Sequence, residues 1–313
     1  MANTLRSLTL IVALLLPVGG HAQLFRAYLA SDGLDANACT LAAPCRLLPA
    51  ALAAIADGGE IWMLDSANYN TGQVNITKSV TIQAIPGAIG SVVLTSAHAI
   101  FIDTPAIRVT LRNLVIGPVS GSGTDGIHVG AGAAGSTINV ESCQIARIPD
   151  GSAISVQGNV KLHMVDSVLR DNFSGFHATN GTTTIFRSQV IGSTNAGVVA
   201  ITSDPANSPV VHIDSSTISR SNPGVWVYTA GGGVGRAFVT RSVVSANLGN
   251  GIETRSEGGV TDAGAEVSDS VANGNGGAGL YNAGGTLRSA GNNRADGNAG
   301  GATSGTITIA GSY

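Results

Sequence analysis

A short pattern, a small residue followed by an apolar one, recurs along the sequence at intervals of 22 to 28 residues. Gly is the small residue in every repeat but one, in which Ala153 takes its place. The apolar members are Ile127, Ile154, Phe176, Val198, Val225, Ile252 and Leu280. A second series, of Ser, keeps phase with the first and comprises Ser142, Ser167, Ser188, Ser216, Ser242 and Ser270. Two phased series with such a period predict a solenoid in which each repeat forms one coil.

The segments between residues 124 and 284 favour strands over helices, because they are rich in Gly and in β-branched residues. Each Gly in a helix interior costs about 1 kcal/mol. Stacked coils place equivalent residues about 4.8 Å apart, which explains why one residue type returns at one phase. An antiparallel sandwich has no such requirement. Burial of the apolar column would contribute roughly 1.5–3 kcal/mol for each side chain.

Residues 1–22 have the features of a secretory signal peptide. Arg6 precedes an apolar run from Leu8 to Leu16, and small residues lead up to Gln23. The run is too short to span a bilayer, and no later stretch is apolar enough to do so. We therefore expect an exported protein, either periplasmic or secreted.

Residues 23–59 are predicted to close the first end of the solenoid formed by residues 60–313. A short strand over Leu24 to Leu29 leads to a loop bounded by Cys39 and Cys45, and then to an amphipathic helix over about Leu47 to Ala56. Asp57-Gly58-Gly59 is expected to end this helix. An open solenoid exposes unpaired backbone at its end, which a capping helix would cover.

Composition and cysteine content narrow the class of protein. The formal net charge is −3 and only 11% of residues are charged, so the chain lacks the basic stripe that nucleic-acid binding requires. Cys39 and Cys45 are expected to form a local disulfide in an oxidising compartment; a zinc site would need further ligands nearby. Cys143 lies in a predicted strand and is expected to be a buried thiol.

The residues that follow the apolar column should point outward, because successive side chains of a strand alternate. This outward column is His128, Ser155, His177, Val199, Trp226, Glu253 and Tyr281. Two positions further on, Tyr228 and Arg255 join it. Aromatic rings flanked by polar groups suit the stacking of sugar rings, so Trp226, Tyr228, Glu253, Arg255 and Tyr281 are candidate polysaccharide-binding residues. The alternative is that these aromatic side chains merely cover the strands.

A second candidate site lies in the turns before the same strands. Asp125, Asp150 and Asp171 occur there in successive repeats, with Arg147 and Arg170 nearby and with His128 and His177 just downstream. Neighbouring coils could bring carboxylates together for acid–base catalysis or for calcium. Asp150, Asp171, Arg170 and His177 are therefore the candidate catalytic residues, and the alternative is a solvated turn. A separate series of mixed charge is interpreted as an exposed ladder of ion pairs; it comprises Arg112, Glu141, Asp166, Arg187, Asp214, Arg241 and Asp269.

The repeats and several N-terminal motifs resemble exported bacterial members of the pectin-lyase-like superfamily. The motifs are Arg26-Ala27-Tyr28, Cys39-Thr40, Pro44-Cys45-Arg46, Gly58-Gly59-Glu60-Ile61 and Ile76-Thr77-Lys78. The resemblance implies an all-β fold, a single-stranded right-handed parallel β-helix with a short N-terminal capping helix. This scaffold carries lyases, hydrolases, epimerases and adhesins, so it does not specify an activity.

The catalytic motifs of that superfamily are incomplete or missing. Arg147-Ile148-Pro149 begins the Arg-x-Pro-x-x-Arg run of one class of pectate lyase, but Ser152 stands at the position of the second Arg. The motifs of polygalacturonases and of alginate epimerases are absent. The favoured hypothesis is therefore a monomeric exported protein that binds polysaccharide and needs no cofactor. One alternative is a lyase or glycoside hydrolase acting on a uronate polymer, with calcium as its cofactor if it is lyase-like, and another is an adhesin-like surface protein.

Overall fold

A computed structural model describes residues 23–95, 97–119, 123–258 and 262–309. The predicted signal peptide, residues 1–22, lies outside the described residues. Within these ranges the chain forms three parallel sheets of twelve, ten and eight strands. We call them the twelve-strand, ten-strand and eight-strand sheets. Each successive strand of a sheet comes from the next coil, so the predicted parallel β-helix is confirmed.

The strands of each sheet are short, as the sequence predicted. The twelve-strand sheet contains Leu24–Leu29, Ile55–Met63, Val80–Ala84, Arg108–Arg112, Thr137–Glu141, Lys161–Val165, Thr182–Phe186, Val210–Asp214, Gly235–Thr240, Ala263–Ser268, Thr286–Ser289 and Ile307–Ile309. The ten-strand sheet contains Val74–Ile76, His98–Ile102, Asp125–Val129, Ser152–Val156, Ser174–Ala178, Ala196–Thr202, Val225–Thr229, Ile252–Ser256, Leu280–Ala283 and Thr303–Ser304. The eight-strand sheet contains Ala67–Asn68, Gly90–Leu94, Leu114–Pro118, Gln144–Ala146, Val168–Arg170, Gln189–Ile191, Thr217–Ser219 and Val243–Ser245.

The predicted apolar column lies inside the coils in register. Ile127 pairs with Ile154, and the pairing continues through Phe176, Val198, Val225, Ile252 and Leu280. Each of these seven side chains is exposed by 3% or less. Apolar burial therefore fixes the register of each strand against its neighbour in the next coil, because a slip of one residue would turn these side chains outward.

The Ser series forms a hydrogen-bonded ladder inside the solenoid, with one correction. The backbone N–H of Ser167 donates to Ser188 Oγ, that of Ser188 to Ser216 Oγ, and that of Ser216 to Ser242 Oγ, each at 3.1 Å. The first member is Cys143 and not Ser142, because the N–H of Cys143 donates to Ser167 Oγ. Ser142 is exposed, with a left-handed φ of 51°.

The N-terminal helix spans Leu48–Ala54, which is shorter than predicted. The chain passes directly from it into the strand Ile55–Met63, so Asp57-Gly58-Gly59 is part of a strand and does not end the helix. The prediction failed because Gly59 pairs with Val80 of the next coil, and this pairing outweighs the local turn signal. Leu48, Ala51 and Leu52 are buried, and the helix contacts the strands Leu24–Leu29 and Val74–Ile76 at the first end of the solenoid.

The disulfide, the free cysteine and the surface ion pairs agree with the predictions made from the sequence. Cys39 and Cys45 form a disulfide, and Cys143 is a buried free thiol, whose pKa burial raises to about 12. Ion pairs at the surface join Arg112 to Glu141, Arg187 to Asp166 and Arg241 to Asp214, at or just beyond the ends of strands of the twelve-strand sheet. No helix in the described ranges is both long enough and apolar enough to cross a membrane.

Candidate functional site

The outer face of the ten-strand sheet carries the predicted outward column in register. His128 pairs with Ser155, Ser155 with His177, His177 with Val199, Val199 with Trp226, Trp226 with Glu253, and Glu253 with Tyr281. The column also extends upstream, because Phe101 pairs with His128. One face of the solenoid thus presents two groups of side chains, an aromatic group and a histidine group.

Trp226 and Tyr228 form the centre of the aromatic group. Their ring centroids lie 5.5 Å apart with an interplanar angle of 48°, and both side chains are half-buried. The Tyr228 hydroxyl donates to Glu257 Oε2 at 2.9 Å. Tyr281 stands two strands from Trp226 in the same column. The three aromatic residues are therefore carried by strands of the sheet.

Glu253 lies between Trp226 and Tyr281 and is fixed by two neighbours. Asn250 Nδ2 donates to Glu253 Oε2 at 2.8 Å, and Arg255 Nη2 lies 3.4 Å from Glu253 Oε1. The Glu253 side chain is 10% exposed, whereas that of Arg255 is 43% exposed. The guanidinium therefore remains accessible while the carboxylate is largely desolvated. The five predicted binding residues lie together on three adjacent strands.

The histidine group consists of His98, Asp125 and His128 on two adjacent strands. His128 Nδ1 donates to Asp125 Oδ2 at 2.8 Å, and His98 Nδ1 lies 3.4 Å from the same oxygen. The two imidazole rings stack with their centroids 4.1 Å apart. Phe101 stacks on both rings, at 5.6 Å from His98 and 5.7 Å from His128.

Asp125 is ionised in this environment although it is buried. Burial raises its pKa, but hydrogen bonds with His128 and His98 and from the Ser152 amide outweigh burial and hold the pKa well below its usual range. The Ser152 N–H donates to Asp125 Oδ1 at 2.9 Å. Burial lowers the pKa of His177, further along the column, and the charge of Asp125 opposes that shift.

The four candidate catalytic residues are only partly brought together. Arg170 Nη1 lies 3.0 Å from Asp171 Oδ2 in an exposed ion pair. Asp150 is exposed and makes no side-chain hydrogen bond or ion pair with the rest of the described chain. His177 lies on the outward column, half-buried.

The three turn carboxylates do not occupy equivalent positions. The Phe173 N–H donates to Ile148 O and the Ser174 N–H to Gly151 O, so residues 149 and 150 have no counterpart in the next coil. Asp171 takes the turn position that Arg147 occupies one coil earlier.

Calcium takes six to eight oxygen ligands, and the donors gathered around Asp125 are two imidazoles and one carboxylate, a set that does not fit calcium.

Sequence reasoning placed Asp125 and His128 in one cluster but missed His98. His98 precedes residue 124, where the recognised repeats begin, so it was not placed in a column. The signal that could have found His98 is its position two residues before the buried Ile100, the same offset as that of Asp125 before Ile127.

Comparisons with known proteins bear on the fold. No protein-family model matches the sequence, and no curated protein matches it. Among solved structures, pectate lyase Pel9A aligns with a TM-score of 0.58 and 15% identity over 93% of this chain and 78% of that chain. A rhamnogalacturonan lyase aligns with a TM-score of 0.45 and 12% identity, over 84% of this chain and 72% of that chain. PfbA, a surface adhesin of Streptococcus pneumoniae, aligns with a TM-score of 0.33 and 10% identity, over 82% of this chain and 85% of that chain. The likeness to Pel9A agrees with the predicted parallel β-helix, and at such identity it shows the fold alone.

Proposed function

We propose that this protein binds a polysaccharide along the outer face of the ten-strand sheet, through Trp226, Tyr228, Glu253, Arg255 and Tyr281. The observation that carries the proposal is the register of Trp226, Glu253 and Tyr281 on three successive strands. Strands of one sheet lie about 4.8 Å apart. A polymer running along the solenoid would therefore meet one side chain of the column at each coil.

The chemistry of these side chains suits sugar recognition. Aromatic rings offer a flat apolar face to the C–H groups of a sugar ring. Arg255, with its side chain 43% exposed, can donate to hydroxyl or carboxylate oxygens of the ligand. Glu253 holds Arg255 in place, and Tyr228 is held by Glu257. Such a face is already organised before binding, which lowers the entropic cost of association.

The proposal is tested with Trp226→Ala combined with Tyr281→Ala. Retention in affinity electrophoresis through polygalacturonate, alginate and a neutral glucan measures binding. Loss of two aromatic contacts, each worth about 1 kcal/mol, should weaken retention by roughly tenfold or more on the glycan that the wild type binds. The melting temperature should change little, because both rings lie on the outside of the sheet.

Phe238→Ala is the matched control. Phe238 is a half-buried aromatic residue on the twelve-strand sheet, where it stacks on His212 at 4.8 Å, and its loss should leave retention unchanged. Arg255→Gln tests the same face without removing a ring and should also weaken retention. Unchanged retention of both the double variant and Arg255→Gln would exclude this face as the binding site.

Cleavage of a uronate polymer is the alternative function. The contact between Asp125 and His128 supports it, since an imidazole held by a carboxylate is a common general-base arrangement. Asp150, Asp171, Arg170 and His177 remain the predicted catalytic residues, and calcium the cofactor of a lyase-type reaction. Incubation with pectate and alginate, with and without calcium, tests this function. Absence of both unsaturated products and new reducing ends would exclude lyase and hydrolase activity on these polymers.

The disulfide between Cys39 and Cys45 supports an extracytoplasmic location, because cytosolic thiols are kept reduced. The proposed protein is exported by the signal peptide in residues 1–22 and acts as a monomer in the periplasm or outside the cell. N-terminal sequencing of the exported protein should begin at or near Gln23.

A further inference from the structure

Three donor atoms of different chemistry converge at the upstream end of the binding face. They are His98 Nδ1, Asp125 Oδ2 and His128 Nδ1, and the ligand atoms of these three residues all lie within 4.8 Å of one another. The carboxylate oxygen is 2.8 Å from one nitrogen and 3.4 Å from the other. We propose that His98, Asp125 and His128 form a binding site for a divalent transition-metal ion of the zinc class.

The donor set determines the kind of ion. Imidazole nitrogen suits zinc, copper, iron and nickel, whereas calcium and magnesium prefer oxygen ligands. Bonds of about 2.0–2.2 Å around a tetrahedral zinc ion place its ligand atoms roughly 3.3–3.5 Å apart. The separation between His98 and Asp125 already has this value, and the His128 ring would move outward by about 0.5 Å to reach the same separation.

The surrounding contacts orient the donors. The Ser152 amide holds the second oxygen of Asp125, so that Oδ2 faces the two rings. Thr124 Oγ1 donates to Ala97 O at 2.6 Å and lies 3.1 Å from His98 Nδ1. The Ser152 contact is of the outer kind that fixes the direction of a metal ligand, whereas Thr124 contacts the His98 nitrogen that would bind the ion and would give up this contact on binding. To bind a metal, His128 would give up the Nδ1 proton that it donates to Asp125, so that each ring carries its proton on Nε2 and offers the Nδ1 lone pair to the ion.

The site is sheltered and still accessible. The side chains of His98, Asp125 and His128 are 16%, 10% and 11% exposed. Three protein ligands and one open side would leave a fourth position for water, as in zinc sites that bind a further ligand. The two rings are also held by Phe101, so little side-chain freedom remains to be lost when the ion binds.

Calorimetric titration tests the site on purified protein that carries no polyhistidine tag and has been stripped with EDTA. Zn²⁺ should bind with one ion per chain, and Ca²⁺ should show no binding at the same concentrations. His98→Gln and His128→Gln should each weaken Zn²⁺ binding by more than about 100-fold, beyond the effect typical of outer contacts. His212→Gln, which removes an imidazole from the twelve-strand sheet, should leave Zn²⁺ binding unchanged.

A measurement on the wild type keeps the test valid even if a variant fails to fold. Co²⁺ bound to two nitrogens, a carboxylate and water should give the intense visible absorption of a four-coordinate ion. A spectrum that stays that of hydrated Co²⁺ would overturn the proposal, as would Zn²⁺ binding that His98→Gln and His128→Gln, both folded, leave unchanged. Failure of the polysaccharide test would not affect this result, since the two sites share no residue.

Discussion

Asp125 accepts a hydrogen bond from His128 at 2.8 Å although the two residues are three positions apart on one strand. A regular strand would place them on opposite faces. The pairing with the neighbouring strand joins Asp125 to His98 and Ile127 to Ile100, without a pair at Gly126. A Cβ atom at Gly126 would lie 2.7 Å from the backbone oxygen of Ala153. The Gly of the repeated pattern therefore lies against the backbone of the next coil, with no room for a side chain.

This close approach predicts which glycines tolerate a methyl group. At Gly197 a Cβ would lie 2.5 Å from Gly224 O and 2.6 Å from Ile218 Cγ2. Gly197→Ala should therefore lower the free energy of unfolding by about 1–3 kcal/mol, the usual cost of overpacking. Urea denaturation followed by circular dichroism measures the change.

Gly72→Ala is the control for that substitution. A Cβ at Gly72 meets nothing within 4 Å, so its free energy of unfolding should stay within about 0.5 kcal/mol of the wild type. Equal effects at positions 72 and 197 would contradict contact between coils as the source of the cost.

The interior Ser ladder makes a second prediction. Ser216 Oγ accepts from the Ser188 amide at 3.1 Å and donates to Asp214 O at 2.8 Å. Ser216→Ala leaves the buried amide of Ser188 without a partner, which should destabilise the fold by about 1–3 kcal/mol. Ser203→Ala, at an exposed position, should change stability by less than about 0.5 kcal/mol. Chemical denaturation of the two variants in parallel tests this expectation. Indistinguishable unfolding midpoints for Ser216→Ala and Ser203→Ala would contradict a stabilising role of the Ser ladder.

Asp65 should make stability depend on pH. Burial raises its pKa, but hydrogen bonds from Ser31 and Tyr69 outweigh burial and hold the pKa below its ordinary value. The Ser31 hydroxyl donates at 2.6 Å and the Ser31 amide at 3.0 Å. Because the folded pKa is the lower one, the stabilisation is present above the unfolded pKa of about 3.9 and is lost as pH falls through the folded pKa.

Asp65→Asn should therefore be less stable than the wild type near neutral pH, with a difference that shrinks as the pH falls below about 4. Urea midpoints measured at a series of pH values test this expectation. Ser31→Ala removes one donor and should show a smaller version of the same trend. A difference between wild type and Asp65→Asn that is independent of pH would refute the account.

The polar positions of the chain show where sequence reasoning stopped. Trp226, Glu253 and Tyr281 were placed correctly because each directly follows a residue of the apolar column, and that column is fixed by burial in every coil. Asp150 has no counterpart in the next coil, because the turn that contains Asp150 is two residues longer than the equivalent turn of the next coil. Ser142 was assigned to the interior ladder in place of Cys143. The ladder position lies one residue after a turn residue with left-handed φ, and in this coil that turn residue is Ser142 itself.

The sequence by itself determined the stacking of coils, the apolar column and the outward residues beside it. These depend on a repeated requirement to bury apolar area, and a repeated requirement leaves a periodic pattern. Only the tertiary structure decided that His98, Asp125 and His128 meet at one point. Their contact depends on polar side chains at the start of two paired strands, and the turns that lead into these strands differ in length from coil to coil and so leave no period to read.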